Sequence, residues 1–192
     1  MTARTHDLAA VTALGVVFVV RPEQLITLTT LIAAVLANLI GGITPDIDQP
    51  TAPFWRNLPV GGFFGKFIDK LLGGHRFITH SLFGLALVGY GAHWLLVWLH
   101  PIMHGIDIGL VWWAFMIGAL SHLVMDSFTK QGVPWLLPIP IKFGFPPLKS
   151  LRLTTGHIVE TFGVFPLLLV FNLVFYSTHH DRILQILHKY LV

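Results

Sequence analysis

The stretch IDIGLVWWAFMIGALSHLVMD, residues 106–126, decides the fold. Between Asp107 and Asp126 it carries no acidic or basic side chain other than His122. That run matches the roughly 20 residues a helix needs to cross the hydrocarbon core of a bilayer. A surface helix of a soluble protein would instead show one apolar stripe and one polar face. The last turn holds His122 and Asp126, four residues apart, which a helix places one above the other on a single face. Such a pair can ligate one ion, or it can be a structural hydrogen-bonded pair inside a bundle.

Four more apolar blocks lie outward from this one: about Leu8 to Val20, Leu25 to Ile43, Leu82 to Leu99 and Ile158 to Tyr176. The chain has 192 residues, 54% of them hydrophobic and 11% charged, with a mean hydropathy of +0.74. A soluble domain carries roughly 25% charged residues and could not hide this much apolar surface. The reading is an all-α, polytopic membrane helical bundle of about five spanning helices with two long cytoplasmic loops. Residues 1–192 form a single membrane-embedded helical domain, with 177–192 as an amphipathic tail. Arg21-Pro22-Glu23 turns between blocks one and two, and His100-Pro101 through Asp107 separates blocks three and four, so each pair reads as an antiparallel hairpin. The first block resembles a signal peptide but lacks a small-residue cleavage site before Arg21, and it reads as a retained segment. Cysteine is absent, which excludes disulfides and thiolate zinc sites, so any metal must use nitrogen and oxygen ligands.

The two long connections run from Thr44 to Thr79 and from Ser127 to Gly156. Loops of that length carry function or short helices of their own. One such helix is expected at Phe63 to Leu72, lying in the interface with Phe63, Phe64, Phe67, Ile68, Leu71 and Leu72 on one side. On this topology nine basic residues (Arg4, Arg56, Lys66, Lys70, Arg76, Lys130, Lys142, Lys149, Arg152) share the side of the long loops, against three (Arg21, Arg182, Lys189) opposite. The positive-inside rule then puts the long loops in the cytoplasm. The pI near 9.5 is explained by anionic lipid headgroups, and no nucleic-acid partner is indicated.

The residues able to do chemistry gather on that same face. His6 opens block one, Asp46 and Asp48 follow block two, His75 and His80 precede block three, His122 and Asp126 end block four, and Glu160 opens block five. Pro45 breaks the preceding helix, so Asp46 and Asp48 offer two carboxylates from an irregular turn, although a solvated turn would look the same. Gly41 and Gly42 admit a close backbone. His75 and Arg76 sit in a loop after Gly73-Gly74, with Thr79 or Ser81 capping the helix that His80 enters. That arrangement suits a metal site, a general base or a phosphate clamp, with Arg76 as the phosphate partner because its planar fork pairs two oxygens. His6 could be merely exposed, and Glu160 could simply favour the positive end of a helix. His157, His93, His100, His104 and the tail residues His179, His180 and His188 read as bystanders, packing or solvated residues.

These motifs resemble a known family. His6, the run GGITPDID at 41–48, HRFITHS at 75–81, and GALSHLVMD at 118–126 with Thr129 and Gly132 resemble the YdjM family of inner-membrane proteins, over most of the chain from His6 to about Glu160. The resemblance implies a bacterial or archaeal cytoplasmic membrane and a metal-dependent hydrolase. It also implies a distant likeness to the zinc-dependent phospholipase C and single-strand nuclease group, whose helical fold holds several zinc ions through His and Asp. His122 and Asp126 match that group's His-x-x-x-Asp pair, whereas His6, Asp46, His75, His80 and Glu160 match by order and residue type only. His157 and Glu160 are three apart, so a second His-x-x-x-Glu pair is missing and one or two metals are expected.

The expected metal ligands are therefore His6, Asp46, His75, His80, His122 and Asp126, with zinc as the divalent metal and manganese as the alternative. A bound divalent metal acidifies water and polarises a phosphoryl or ester oxygen. Asp48 or Glu160 would orient or deprotonate that water, and Arg76 would grip phosphate. The expected substrate is a phosphoester or other ester in a lipid or lipid-linked molecule, and the expected partner is membrane lipid. A non-catalytic membrane protein with a structural metal site or partner-binding role is the alternative. A transporter comes third, because blocks three to five offer almost no charged residues near the bilayer midplane.

Overall fold

A computed structural model of the chain describes residues 1–21, 26–139 and 141–190. Eight α-helices follow one another among these residues: α1 (Ala3–Val20), α2 (Leu28–Ile43), α3 (Pro53–Arg56), α4 (Gly61–Leu71), α5 (Leu82–Leu99), α6 (Ile108–Ser127), α7 (Phe165–Thr178) and α8 (His180–Tyr190). Among the described residues five segments are long and apolar enough to cross a membrane: Ala3–Val20, Leu28–Asp48, Leu82–Ile102, Ile108–Ser127 and Glu160–Thr178. The all-α bundle read from the sequence is what the chain forms; among the described residues extended pairing is limited to two isolated bridges, Thr129 with Leu153 and Val133 with Phe143. The turn expected at Arg21-Pro22-Glu23 falls, beyond Arg21, outside the described residues, as do Leu25 and Leu191.

The first block was the shortest by sequence, and the structure lengthens it. Arg4, Thr5, His6 and Asp7 continue the apolar run as helix, so α1 has 18 residues and spans about 27 Å. Its polar head is what places His6 inside the bundle. Helix starts follow their capping residues: Thr27 accepts from Thr30 N before α2, Ser81 from Gly84 N before α5, and Asp107 from Leu110 N before α6.

At the centre α2 and α6 pack backbone to backbone. A Cβ at Gly41 would strike the Phe115 carbonyl, and one at Gly118 would strike the Asn38 carbonyl, so both positions require a residue without one. Asn38 Nδ2 donates to Ala114 O across the same seam at 3.0 Å. Helix α1 closes the trio through Leu14, Ala34 and Ala114, with Phe18, Val35 and Ile117 against them. Helices α5 and α7 stand outside this trio: α5 buries only Gly84 and Gly89, and α7 buries no residue. Their apolar surfaces suit lipid rather than a protein interior. Helix α7 is tied to α1 by Asn172 Nδ2, which donates to Thr12 Oγ1 at 2.6 Å.

The two long connections fold over one end of the trio. After α2 the chain tightens into a 3-10 turn, Thr44–Asp48, with Pro45 at its start. Trp55 Nε1 pins that turn through Ile47 O at 2.8 Å, and α4 lies beside it with Phe63, Phe64, Phe67 and Leu71 exposed. The second connection is held by Lys130 N to Leu153 O and by Val133 and Phe143 bonded to each other.

Candidate metal centre

Four elements deliver side chains to one buried point: the first turns of α1, the 3-10 turn after α2, the loop before α5 and the last turn of α6; the first turn of the fifth span sets Glu160 against the start of α1. Asp46 is half-buried, and His6, Asp48, His80, His122, Asp126 and Glu160 are buried. Taken singly, each would be costly at a membrane edge, roughly 2.5–3.5 kcal/mol on insertion scales for a charged group. Their convergence needs a compensating cation or a full set of hydrogen bonds.

Four of these residues define the centre. Asp46 Oδ1 lies 3.6 Å from His80 Nε2 and 3.5 Å from His122 Nε2, while Asp126 Oδ2 lies 3.5 Å from His80 Nε2 and 3.6 Å from His122 Nε2. These separations are too long for hydrogen bonds, whose N···O distances run to about 3.2 Å. They are instead of the length that donors around one ion show, since metal bonds of about 2.0–2.2 Å give donor separations of roughly 3.3–3.6 Å, and Asp46, His80 and His122 together are close enough to hold an ion. Consistently, His80 Nε2 and His122 Nε2 are buried without a hydrogen-bond partner, while Asp126 Oδ2 faces the Arg76 guanidinium. Buried polar atoms left unpaired are rare unless an ion or water completes them. The residues present therefore fit a divalent metal, and the mixed nitrogen and oxygen set suits zinc or manganese.

The remaining ring nitrogens are turned outward and held. His122 Nδ1 donates to Gly42 O at 2.6 Å. His80 Nδ1 donates to Thr79 Oγ1 at 2.9 Å, and the Thr79 hydroxyl in turn donates to Asp48 Oδ2. Both imidazoles thereby keep an Nε2 lone pair aimed at the centre, the arrangement that fixes tautomer and ring orientation around a metal.

His6 flanks the centre. Its ring stacks on His122 with centroids 3.7 Å apart, and its Nε2 lies 3.3 Å from Asp126 Oδ1, the carboxylate oxygen facing away from the four-atom set. Neither His6 nitrogen has a hydrogen-bond partner, and the Met1 nitrogen contacts the same Oδ1. His6, His122 and Asp126 are close enough to hold an ion of their own, as are Asp48, His75 and His80.

The other sequence-nominated residues take different places. Asp48 spends both oxygens on neighbours: Oδ1 accepts from His75 Nδ1 at 2.8 Å, and Oδ2 accepts from Arg76 N at 3.0 Å and from Thr79. Glu160 is likewise occupied: Oε1 accepts from Thr2 N, Thr2 Oγ1 and Thr5 Oγ1, and Oε2 from Gly156 N. It fastens the start of α1 to the start of the fifth span. His75 is paired with Asp48 and part-exposed beside the centre. Arg76 is buried, with Nη1 donating to Thr129 Oγ1 at 2.9 Å and Nη2 lying 2.5 Å from Asp126 Oδ2. Its φ of +61° is unusual for a residue with a side chain, and the Asp48 bond to its amide holds that strain, of order 1–3 kcal/mol. His157 is exposed and lies outside every ligand group found among the described residues.

Sequence reasoning did not find the Gly42 carbonyl or the hydroxyl relay through Thr79. A carbonyl carries no residue-type signal, and Thr79 was legible only as a helix cap.

A chamber of about 830 Å³ adjoins the centre, lined by Asp46, His75, Arg76, Arg4, Arg56 and Gln131 among others. It supplies the route from outside.

Comparison with known proteins bears on the family of the chain. The chain is 28% identical over 185 residues to the Bacillus subtilis (strain 168) "Uncharacterized protein YvsG", covering 95% of this chain and 99% of that protein. No solved structure matches it. The family model described as "YdjM inner membrane protein" matches residues 1–184, and with five apolar helices spanning that range the chain is a multi-pass membrane protein that belongs to the YdjM family.

Proposed function

We propose that the protein is a membrane-bound, metal-dependent hydrolase of a phosphoester or other ester bond in a lipid or lipid-linked substrate, with its site at the cytoplasmic face. The observation that carries the reading is the set of four donor atoms spaced as donors around one ion are, two of them imidazole nitrogens otherwise unpaired, beside an open chamber. Asp46, His80, His122 and Asp126 would hold the metal, zinc or manganese, which would supply Lewis acidity toward a phosphoryl or carbonyl oxygen. The nine-to-three basic asymmetry supports the cytoplasmic placement.

The chain's own residues then divide the work. Asp48 holds His75 through Nδ1, leaving the other ring nitrogen of this part-exposed side chain to take or give a proton in the chamber. This assigns His75 an acid-base role and Asp48 the orienting one. Arg76 braces Asp126 and Thr129 and lines the chamber, where its charge would favour an anionic substrate oxygen. Glu160 keeps α1 seated so that His6 and Asp126 stay in register.

One observation favours a second reading, a structural metal site. Four protein donors would complete a zinc shell, whereas catalytic zinc sites usually keep three protein ligands and an open position. Assays on detergent-purified protein with a chromogenic phosphomonoester and phosphodiester separate the two. The hydrolase reading expects turnover that needs zinc or manganese, vanishes in Asp126→Ala, and falls about 100-fold or more in His75→Ala with metal content unchanged. Metal-loaded, folded protein that turns over no ester, with or without His75, would leave the structural reading standing.

A further inference from the structure

The chamber beside the metal centre carries more positive charge than one phosphoryl group would use. Besides Arg76, which is bound to Asp126 and Thr129 at the back, its wall includes Arg4 from the first turn of α1 and Arg56 from the end of α3. Both are exposed, and neither has an acidic side chain within 4.0 Å among the described residues. Asp46, which lies beside His80 and His122, is the one carboxylate on the wall among the described residues. The rest of the lining is largely Thr and Gln, side chains that hydrogen-bond without adding negative charge. A volume of about 830 Å³ is in the range that encloses a drug-sized ligand, far larger than a lone phosphate ion.

We propose that this chamber is an anion-recognition subsite, in which Arg4 and Arg56 hold a second anionic group of the substrate while the scissile one sits at the centre. The substrate class is then a diphosphate, or a phosphoester carrying another anionic group nearby. The inference rests on the hydrolase reading for the identity of the scissile group, but the anion subsite itself can be measured without turnover. Arginine suits the task because its fork pairs two oxygens of a phosphate at once, and such charge-assisted bonds are roughly twice as strong as neutral ones. Arg4 and Arg56 come from separate elements that flank the chamber, so they address the part of the ligand beyond the metal rather than the metal itself.

The test measures binding of inorganic pyrophosphate and of inorganic phosphate to metal-loaded protein in nanodiscs, with metal content recorded for each sample. Arg4→Ala and Arg56→Ala are each expected to weaken pyrophosphate binding by about tenfold, the loss of one charge-assisted contact, while phosphate binding changes less than about twofold. Lys66→Ala, an exposed basic residue outside the chamber, is expected to change neither. Equal pyrophosphate affinity in wild type, Arg4→Ala and Arg56→Ala, at unchanged metal content, would overturn the chamber and leave the metal centre intact. Metal-free wild type would instead fail the reading on which it rests. Nanodiscs of neutral phosphatidylcholine beside others containing phosphatidic acid identify the source: competition by phosphatidic acid, relieved in Arg56→Ala, assigns the group to a lipid headgroup. Equal affinity in both kinds of disc assigns it to a free anion.

Discussion

The same three helices build two unlike ends. Toward the far face, α1, α2 and α6 surround an apolar cavity of about 1000 Å³ lined by Leu14, Phe18, Leu110, Trp113, Ala114 and Tyr176 among others. Its polar ties are ordinary helix caps and loop bonds, such as Asp107 N to Thr30 Oγ1 at 3.0 Å. At the other end the same helices are filled with imidazoles and carboxylates, buried and partly unpaired. Packing between the two, at Gly41 and Gly118, is what fastens α2 to α6. The contrast separates stability from function: the bundle would associate without the polar end, and the polar end costs insertion energy that packing does not need. Residues held there against that cost are the ones grouped closely enough to bind a metal ion.

If that separation is right, variants at the two ends should fail in different ways. The largest effect is expected from His122→Ala or Asp126→Ala, each of which removes a shared donor: bound metal should vanish by elemental analysis while helix content by circular dichroism stays unchanged. Gly118→Leu should do the reverse, driving a side chain into the Asn38 backbone and lowering thermal stability in detergent by an amount corresponding to about 3 kcal/mol or more. Asp48→Asn keeps the shape but weakens the support behind His75 and Thr79. Metal affinity should drop about 10–100-fold, as for other residues that orient ligands, measured by competition with a chelator. Smallest of all, Leu110→Phe at the apolar cavity should alter stability by less than about 1.5 kcal/mol and leave metal affinity untouched. A metal deficit in that last variant would break the comparison.

Much of this architecture is written locally. The bounds of α5 follow from Ser81 as cap and the run Leu82 to Leu99, and the structure places them there. His122 and Asp126 were readable as a pair because helical spacing alone aligns them. Asp46 and His80 were nominated by residue type, and the fold puts them against that pair. What the sequence hid is tertiary. The first block read as about Leu8 to Val20, whereas the helix begins at Ala3, its head tied to Glu160, which accepts from Thr2 and Thr5. Asp48, two residues from Asp46, has the same chemistry in the sequence but points at His75 and Thr79, because a 3-10 turn rather than a straight helix carries the two. Arg76 was read as free to grip phosphate, whereas the fold spends most of its guanidinium on Asp126 and Thr129. No spacing rule predicts which of several nearby carboxylates a guanidinium will choose.

X-ray absorption at the zinc edge, on chelator-stripped protein reloaded with zinc, addresses the four-donor centre directly. One tightly held ion per chain is predicted, in a shell of imidazole nitrogen and carboxylate oxygen at about 2.0–2.2 Å, with the imidazole signature lost or halved in His80→Ala. Folded protein that takes up no stoichiometric zinc or manganese, or an ion whose shell is unchanged by His80→Ala, would contradict the account.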